Sequence, residues 1–311
     1  MAETDTRSGD APESPQRFTR GEWVAIFKRS GREFLDDDGM GLAQQVAYSS
    51  ILAFFPTLIF VVALFGLLGI YSAMRDFLGV VAPGAVMDVL ETIEGSAEGN
   101  QTASAFAFLL GGIGALWAAS SAMGTAIKAV NRAYDRTDVR PFWKKRLAAI
   151  VLCLAVAVVG TAMMLLIVFG GPLGTAIAEY AGLGPAFEWT WNILRWPLVF
   201  VAVLLFFALV YFLAPDKDQR SWKWISPGSL VGAIGWIVLS ALFALYVRLA
   251  GSYDETYGSL AGGIVLLLWL NYSAYALIFG AEVNAETDNQ ADIRAAGGEH
   301  AGLVKQARRR R

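Results

Sequence analysis

The sequence predicts an all-α polytopic membrane bundle: six transmembrane helices with both termini on the cytoplasmic side, an N-terminal interfacial amphipathic helix, and a short helix in the first outer loop. Three observations predict it. Of 311 residues, 56% are hydrophobic and 17% charged, against about 45–50% and about 25% in soluble domains. The mean hydropathy is +0.48. The apolar residues are gathered into long blocks, and a helix needs ~20 apolar residues to cross a hydrocarbon core about 30 Å thick. Finally, the 25 Lys and Arg residues fall almost wholly in alternate connections between those blocks. The lone Cys153 excludes a disulfide framework, and the lone His300 excludes His-rich zinc chemistry or a His-based triad in the apolar body.

Residues 1–20 are polar and read as a disordered cytoplasmic tail, with no apolar signal-peptide core. Residues 21–42 place Trp23, Val24, Phe27, Phe34 and Leu35 at roughly helical spacing beside Lys28, Arg29 and Arg32. That pattern suits a helix lying on the membrane with its basic side to the headgroups; an ordinary helix packed on cytoplasmic loops fits the same spacing. The six blocks are residues 43–71, 104–127, 147–169, 194–213, 227–247 and 258–281, together a transmembrane domain over 43–281. The first is long enough to need a tilt or kink, and Pro56 would supply one. The second is diluted by Gly111, Gly112, Gly114, Ser120 and Ser121, small residues that let helices approach. Pro215 follows the fourth block and Pro227 opens the fifth. Gly228 with Gly232, and Gly258 with Gly262, form G-x-x-x-G pairs that predict close helix packing without naming the partner. A soluble all-α protein would show one polar face per helix; residues 198–213 and 264–270 have almost none. Residues 282–311 read as a basic cytoplasmic tail.

The basic residues set the orientation. The N-terminal segment, the connections after the second and fourth blocks, and the C-terminal tail hold 22 of them. The alternate connections hold three, Arg75, Arg195 and Arg248. By the positive-inside rule both termini are cytoplasmic, and the alternation requires an even number of spans. The first outer loop is acidic, with Asp76, Asp88, Glu91, Glu94 and Glu98, and Val86 to Ile93 could form a short amphipathic helix over the bundle mouth. A solvated acidic loop fits as well.

Polar residues inside a bilayer are costly and mark functional candidates. On the first block Gln44, Gln45, Tyr48 and Ser49 share a face. On the second, Ser121 leads toward Lys128, Asn131 and Arg132. On the sixth, Asn271, Tyr275, Glu282 and Glu286 recur along one side, with Asn284 beside them. Together these could line a polar cavity open to the cytoplasm, with Glu282 the foremost candidate for ion or proton handling beside Lys128 or Arg132. The plainer reading has Glu282, Asn284 and Glu286 capping the bundle against cytoplasmic Arg and Lys.

Several stretches carry a resemblance: AQQVAYSSILAFFPTLIFVVALFG at 43–66, NRAYD at 131–135, PFWKKR at 141–146, WISPGSL at 224–230, SYDETYGSLAGGIVLLLWLN at 252–271 and GAEVNAE at 280–286. With these the chain resembles the YihY/virulence factor BrkB family of bacterial inner-membrane proteins over about residues 20–290. Trp269-Leu270 is followed here by Asn271, where the family usually continues with Tyr. The resemblance implies six transmembrane helices with cytoplasmic termini, and little chemistry. Family members have carried the name ribonuclease BN, yet a metal-dependent nuclease needs clustered His and carboxylate ligands. This chain has one His and scattered inner carboxylates, so neither catalytic residues, a metal nor a cofactor is expected.

The expected function is transport or permeation of a small solute or ion. The alternative is a non-transporting protein that organises lipids or envelope and surface-export partners, since the residues 21–38 and Arg308 to Arg311 suit anionic headgroups. Basic segments explained by topology are weak support for RNA binding, so no nucleic-acid partner is expected. A homo-oligomer is compatible with the sequence.

Overall fold

The computed structural model describes residues 18–67, 101–216, 225–249 and 261–295. The expected outer-loop helix, residues 1–17 of the tail, Gly258 and the terminal Arg308 to Arg311 lie outside those residues. Among the described residues all regular structure is helical: α1 (Arg20–Asp36), α2 (Gly39–Leu67), α3 (Gln101–Ala133), α4 (Phe142–Met164), a π-turn (Leu165–Phe169), α5 (Gly170–Tyr180), α6 (Pro185–Leu213), α7 (Pro227–Leu249) and α8 (Ala261–Ala295).

Local chemistry sets the first boundary. Thr19 and Glu22 form a capping box at the start of α1, with Thr19 N–H donating to Glu22 Oε2 at 2.6 Å and Glu22 N–H to Thr19 Oγ1 at 3.3 Å. The helix ends where Asp38 takes a left-handed conformation (φ 54°), which Asp tolerates better than most side chains. Asp38 Oδ1 then accepts the Gly41 N–H, opening α2 a residue after α1 has closed.

The long helices run antiparallel, and polar contacts fix their register. Between α2 and α3, Lys128 Nζ donates to Gln45 Oε1 (3.4 Å) and Thr125 Oγ1 to Ser49 Oγ (3.0 Å). Between α3 and α4, the Arg146 guanidinium stacks 3.7 Å above Trp117 and donates to Ser121 Oγ and Trp117 O. Between α7 and α8, Gly228 N–H donates to Asn284 Oδ1 (2.8 Å), Trp236 Nε1 to Ser273 Oγ (3.0 Å) and Trp269 Nε1 to Ser240 Oγ (3.2 Å). Asn131 ties the end of α3 to the end of α6, accepting the Asp216 N–H and donating to Ala214 O. The start of α2, the ends of α3, α6 and α8 and the start of α7 therefore meet at one end. That end is basic, joined by Arg29, Arg132, Arg136 and Arg140 contacts.

Five of these helices are long and apolar enough to cross a membrane: Phe108–Ala133, Phe142–Ile167, Ala186–Leu213, Pro227–Leu249 and Ala261–Arg294. Their outer faces carry exposed Leu109, Leu110, Ile113, Val158 and Leu242, an apolar surface that a soluble monomer does not leave in water. The chain is an all-α polytopic membrane bundle.

The boundaries differ from the sequence reading in several places, first where α1 stops at Asp36 and α2 opens at Gly39, so that residues 39–42 belong to α2 and not to the expected interfacial helix 21–42. The helix α3 begins at Gln101 and runs to Ala133, six residues past the expected 127. The helix α4 starts at Phe142, after Pro141, rather than at 147, because Trp143, Lys144, Lys145 and Arg146 form its amphipathic first turns. The stretch after the third block is helical as well, in α5, and α6 opens at Pro185 rather than 194, with Pro in its first turn. Most consequentially, residues 282–295 are not tail. They continue α8, since Val283 packs against Ile26 of α1 and Phe18 just before it and Glu286 pairs with Arg29. Polar composition after Ala281 suggested a terminus; a second helix lying alongside supplies the burial that keeps it helical.

Candidate functional site

The structure separates the polar candidates instead of gathering them into one cavity. Gln44, Gln45, Tyr48, Ser121 and Lys128 are exposed on the α2–α3 flank, with Tyr48 62% exposed, and Ser49 is half-buried beside them. Asn131 is buried but acts as a staple between helix ends, and Asn284 does the same for Gly228. Asn271 is half-buried; Tyr275 packs edge-on to Phe34 and Tyr272. The expected single polar cavity is thus corrected: helical phase placed these residues on shared faces, but the neighbouring helices cover different parts of each face.

Two other places emerge. The first is a partly open chamber of ≈ 220 Å³ lined by residues of α2, α3, α4, α6, α7 and α8. Its walls are apolar, including Val46, Met123, Met163, Phe206 and Phe207, with Trp236 and Trp269 toward one side. Both Trp N–H groups are already spent on Ser273 and Ser240, so they present no free donor to the interior. Gly232 lets α7 approach Phe207 and Tyr211 beside this chamber: a Cβ there would lie 2.8 Å from Phe207.

The second is a small acidic cleft of ≈ 10 Å³ at the basic end, lined by Glu33, Asp37, Tyr134, Asp135, Glu282, Glu286 and Asn289. Its parts arrive from separate elements: Glu33 from the last turns of α1, Asp37 from the α1–α2 turn, Tyr134 and Asp135 from the end of α3, and the rest from successive turns of α8. Two cations close in from the side. Arg29 Nε donates to Glu286 Oε2 (2.6 Å) and its Nη2 to Gln290 Oε1 (2.8 Å), while Arg132 reaches Asp37 (3.1 Å). Arg132 therefore serves Asp37, and not Glu282 as the sequence suggested.

Glu282 is 2% exposed, and its Oε1 has no hydrogen-bond partner; Asn289, 7% exposed, leaves its Oδ1 unpartnered. Just past the spanning part of α3, burial pushes the Tyr134 phenol well above its ordinary range, with the Asp288 carboxylate adding to the effect. Tyr134 therefore stays a neutral hydroxyl. Among the described residues no three His, Cys, Asp or Glu side chains are grouped so as to hold a metal ion together.

Sequence reasoning did not single out Glu33, Asp37, Asp135 or Asn289. The signal was present in the run of acids at 36–38 beside the Asn131–Asp135 stretch, but only tertiary docking of α1 on α8 brings the groups together.

The comparisons agree with a membrane architecture. A UPF0761 membrane protein of Rhodospirillum centenum (strain ATCC 51521 / SW) is 25% identical over 267 residues, 84% of this chain and 57% of that protein. A UPF0761 membrane protein of Aggregatibacter aphrophilus (strain NJ8700) is 25% identical over 276 residues, 85% of this chain and 92% of that protein. The putative ribonuclease-like protein YfkH of Bacillus subtilis (strain 168) is 34% identical over 265 residues, 84% of this chain and 94% of that protein; the ribonuclease wording belongs to that protein's name. No solved structure matches. The model of the family described as Virulence factor BrkB matches residues 30–303, and with nearly the whole bundle inside that match the chain belongs to the virulence factor BrkB family.

Proposed function

We propose that this protein moves a small solute or ion across the bacterial inner membrane, through the centre of a six-helix bundle with both termini in the cytoplasm. The observation that carries this reading is the ≈ 220 Å³ chamber at the meeting point of six helices, a volume close to the lower range of small-molecule sites. Its apolar walls favour a small solute with apolar surface over a bare ion in the chamber itself. Gln44, Gln45, Tyr48, Ser49, Ser121 and Lys128 would then form an outer polar flank, and Glu282, Glu286 and their neighbours the cytoplasmic end. The sixth span is α2, a helix of 29 residues, about 43 Å at 1.5 Å per residue and so longer than the hydrocarbon core.

Gradient-driven flux in proteoliposomes tests the reading, with a panel of small zwitterions, amines and ions. Uptake of at least one is expected, with a loss of tenfold or more in Ala274→Trp, which fills the chamber. Flux of none, or flux unaltered by the filling substitution, defeats it.

A second reading keeps one specific observation in its favour. The outward face of α1 exposes Val24, Phe27 and Leu35 beside Arg20, Lys28 and Arg32, the arrangement of an interfacial helix against anionic lipid. On this reading the protein organises lipids or export partners and conducts nothing. It predicts retention of anionic lipid by the purified protein that falls when Lys28 and Arg32 become Gln, with no flux in the same preparation.

A further inference from the structure

We infer that Glu282 is a proton-binding site, its carboxyl carrying a proton at neutral pH and exchanging it with the cytoplasm through the acidic cleft between α1, α3 and α8.

The inference begins with donors and acceptors. Among the described residues no cation pairs with Glu282, and its Oε1 is buried without a partner. The groups facing it are almost all acceptors: Glu33 from α1, Asp37 from the α1–α2 turn, Asp135 from the end of α3, and Glu286 and the unpartnered Asn289 Oδ1 from its own helix. The nearby cations are committed elsewhere, Arg29 to Glu286 and Gln290, and Arg132 to Asp37. Tyr134 is a neutral phenol. An ionised Glu282 would add one more negative charge to a site short of donors, in surroundings where an uncompensated charge neutralises rather than persists.

Two positive species could relieve this, a metal ion or a proton. The described residues offer no three-ligand metal group, and the cleft of ≈ 10 Å³ is at the limit for one water molecule, too small for a hydrated cation. A proton needs no such volume. It adds to the carboxylate oxygen to give a neutral acid whose O–H is a further donor among the acceptors of the cleft, and it leaves by the same bond when the acid ionises.

The cleft is also placed for exchange. It lies at the basic end, where α1 covers α8 through the Arg29–Glu286 pair. Arg29 is partly exposed and Glu286 buried, so parting that pair would open the cleft from the α1 side without moving a spanning helix. This site does not depend on the permeation reading, and its test has no flux in it.

Infrared spectroscopy of the full chain in proteoliposomes checks it. At neutral pH the wild type should show a protonated-carboxyl band that disappears as the pH is raised. The band should be lost in Glu282→Gln and shifted in frequency in Glu282→Asp, which keeps a carboxyl and guards against a misfolded Gln variant. Arg29→Gln should speed hydrogen–deuterium exchange of the band several-fold. A wild type with no such band, or a band unchanged in both Glu282 variants, overturns the inference. So does a band that sodium or potassium abolishes at fixed pH, since an alkali ion would then be the occupant.

Discussion

Asp138 and Arg140 show how much a single residue pair holds at the basic end. In the short connection between α3 and α4, Arg140 donates to Asp138 through Nε (2.9 Å) and Nη2 (2.6 Å), while its Nη2 also caps Ala214 O at the end of α6. Burial pushes the Asp138 carboxyl upward, but the side-chain and backbone hydrogen bonds from Arg140 outweigh it and leave the group below the usual carboxylate range. Because the folded value is the lower one, this stabilisation is fully present above the unfolded value of about 3.9 and is lost as the pH falls through the folded value. Asp138→Asn should therefore cost about 1.5–3 kcal/mol at neutral pH, the worth of charged hydrogen bonds, and flatten the acid side of the stability profile. Thermal unfolding in detergent across pH reads both. Arg140→Lys should recover only part of the loss, since Lys cannot reproduce the two-pronged contact; full recovery would mean that charge alone matters.

At the scale of elements, the tightest join is α7 against α8. Gly228 and Gly280 face one another so closely that a Cβ on Gly228 would collide with the Gly280 carbonyl and the Asn284 side chain. The Tyr211 hydroxyl, which donates to Leu277 O (2.8 Å), closes the same junction from α6. Gly228→Ala should destabilise by about 1–3 kcal/mol through forced separation of backbones. Gly235→Ala, one face away and 4.0 Å from the Ala276 methyl, should be neutral or stabilising by up to about 1 kcal/mol from its better helix propensity. Equal losses at both positions would show that the effect is not packing. The G-x-x-x-G spacing of Gly228 and Gly232 was legible as a close-contact motif, whereas its partners were not: Gly280 and Tyr211 lie 52 and 17 residues away from Gly228 in sequence. The same limit explains α8. Its apolar half could be read from composition, but its helical continuation through residue 295 depends on α1, which only the folded chain places beside it. The acidic cleft was illegible for the same reason, since Glu33, Asp37 and Asp135 are far from Glu282 in sequence and only tertiary packing gathers them.

For the whole molecule, the charge asymmetry and the register of the helices make a joint prediction about orientation. Val139, exposed in the α3–α4 connection, lies at the basic end with Arg136 and Arg140, and Leu183 lies in the α5–α6 turn at the opposite end. The positive-inside rule puts the first in the cytoplasm and the second outside. Cys153 is the sole cysteine, half-buried within α4, so a Cys153→Ala background accepts single reporter cysteines cleanly. In intact cells a membrane-impermeant maleimide should label Leu183→Cys at once and Val139→Cys only after lysis. A third reporter at Arg20, where α1 begins, should behave like Val139→Cys, because α1 is tied to the end of α8 by Arg29 and Arg294. If Arg20→Cys and Leu183→Cys label alike, the basic end is not cytoplasmic as a unit, and the even number of spans fails with it. If Val139→Cys and Arg20→Cys are both labelled from outside and Leu183→Cys is not, the whole bundle is inverted and the cleft at Glu282 opens to the exterior instead.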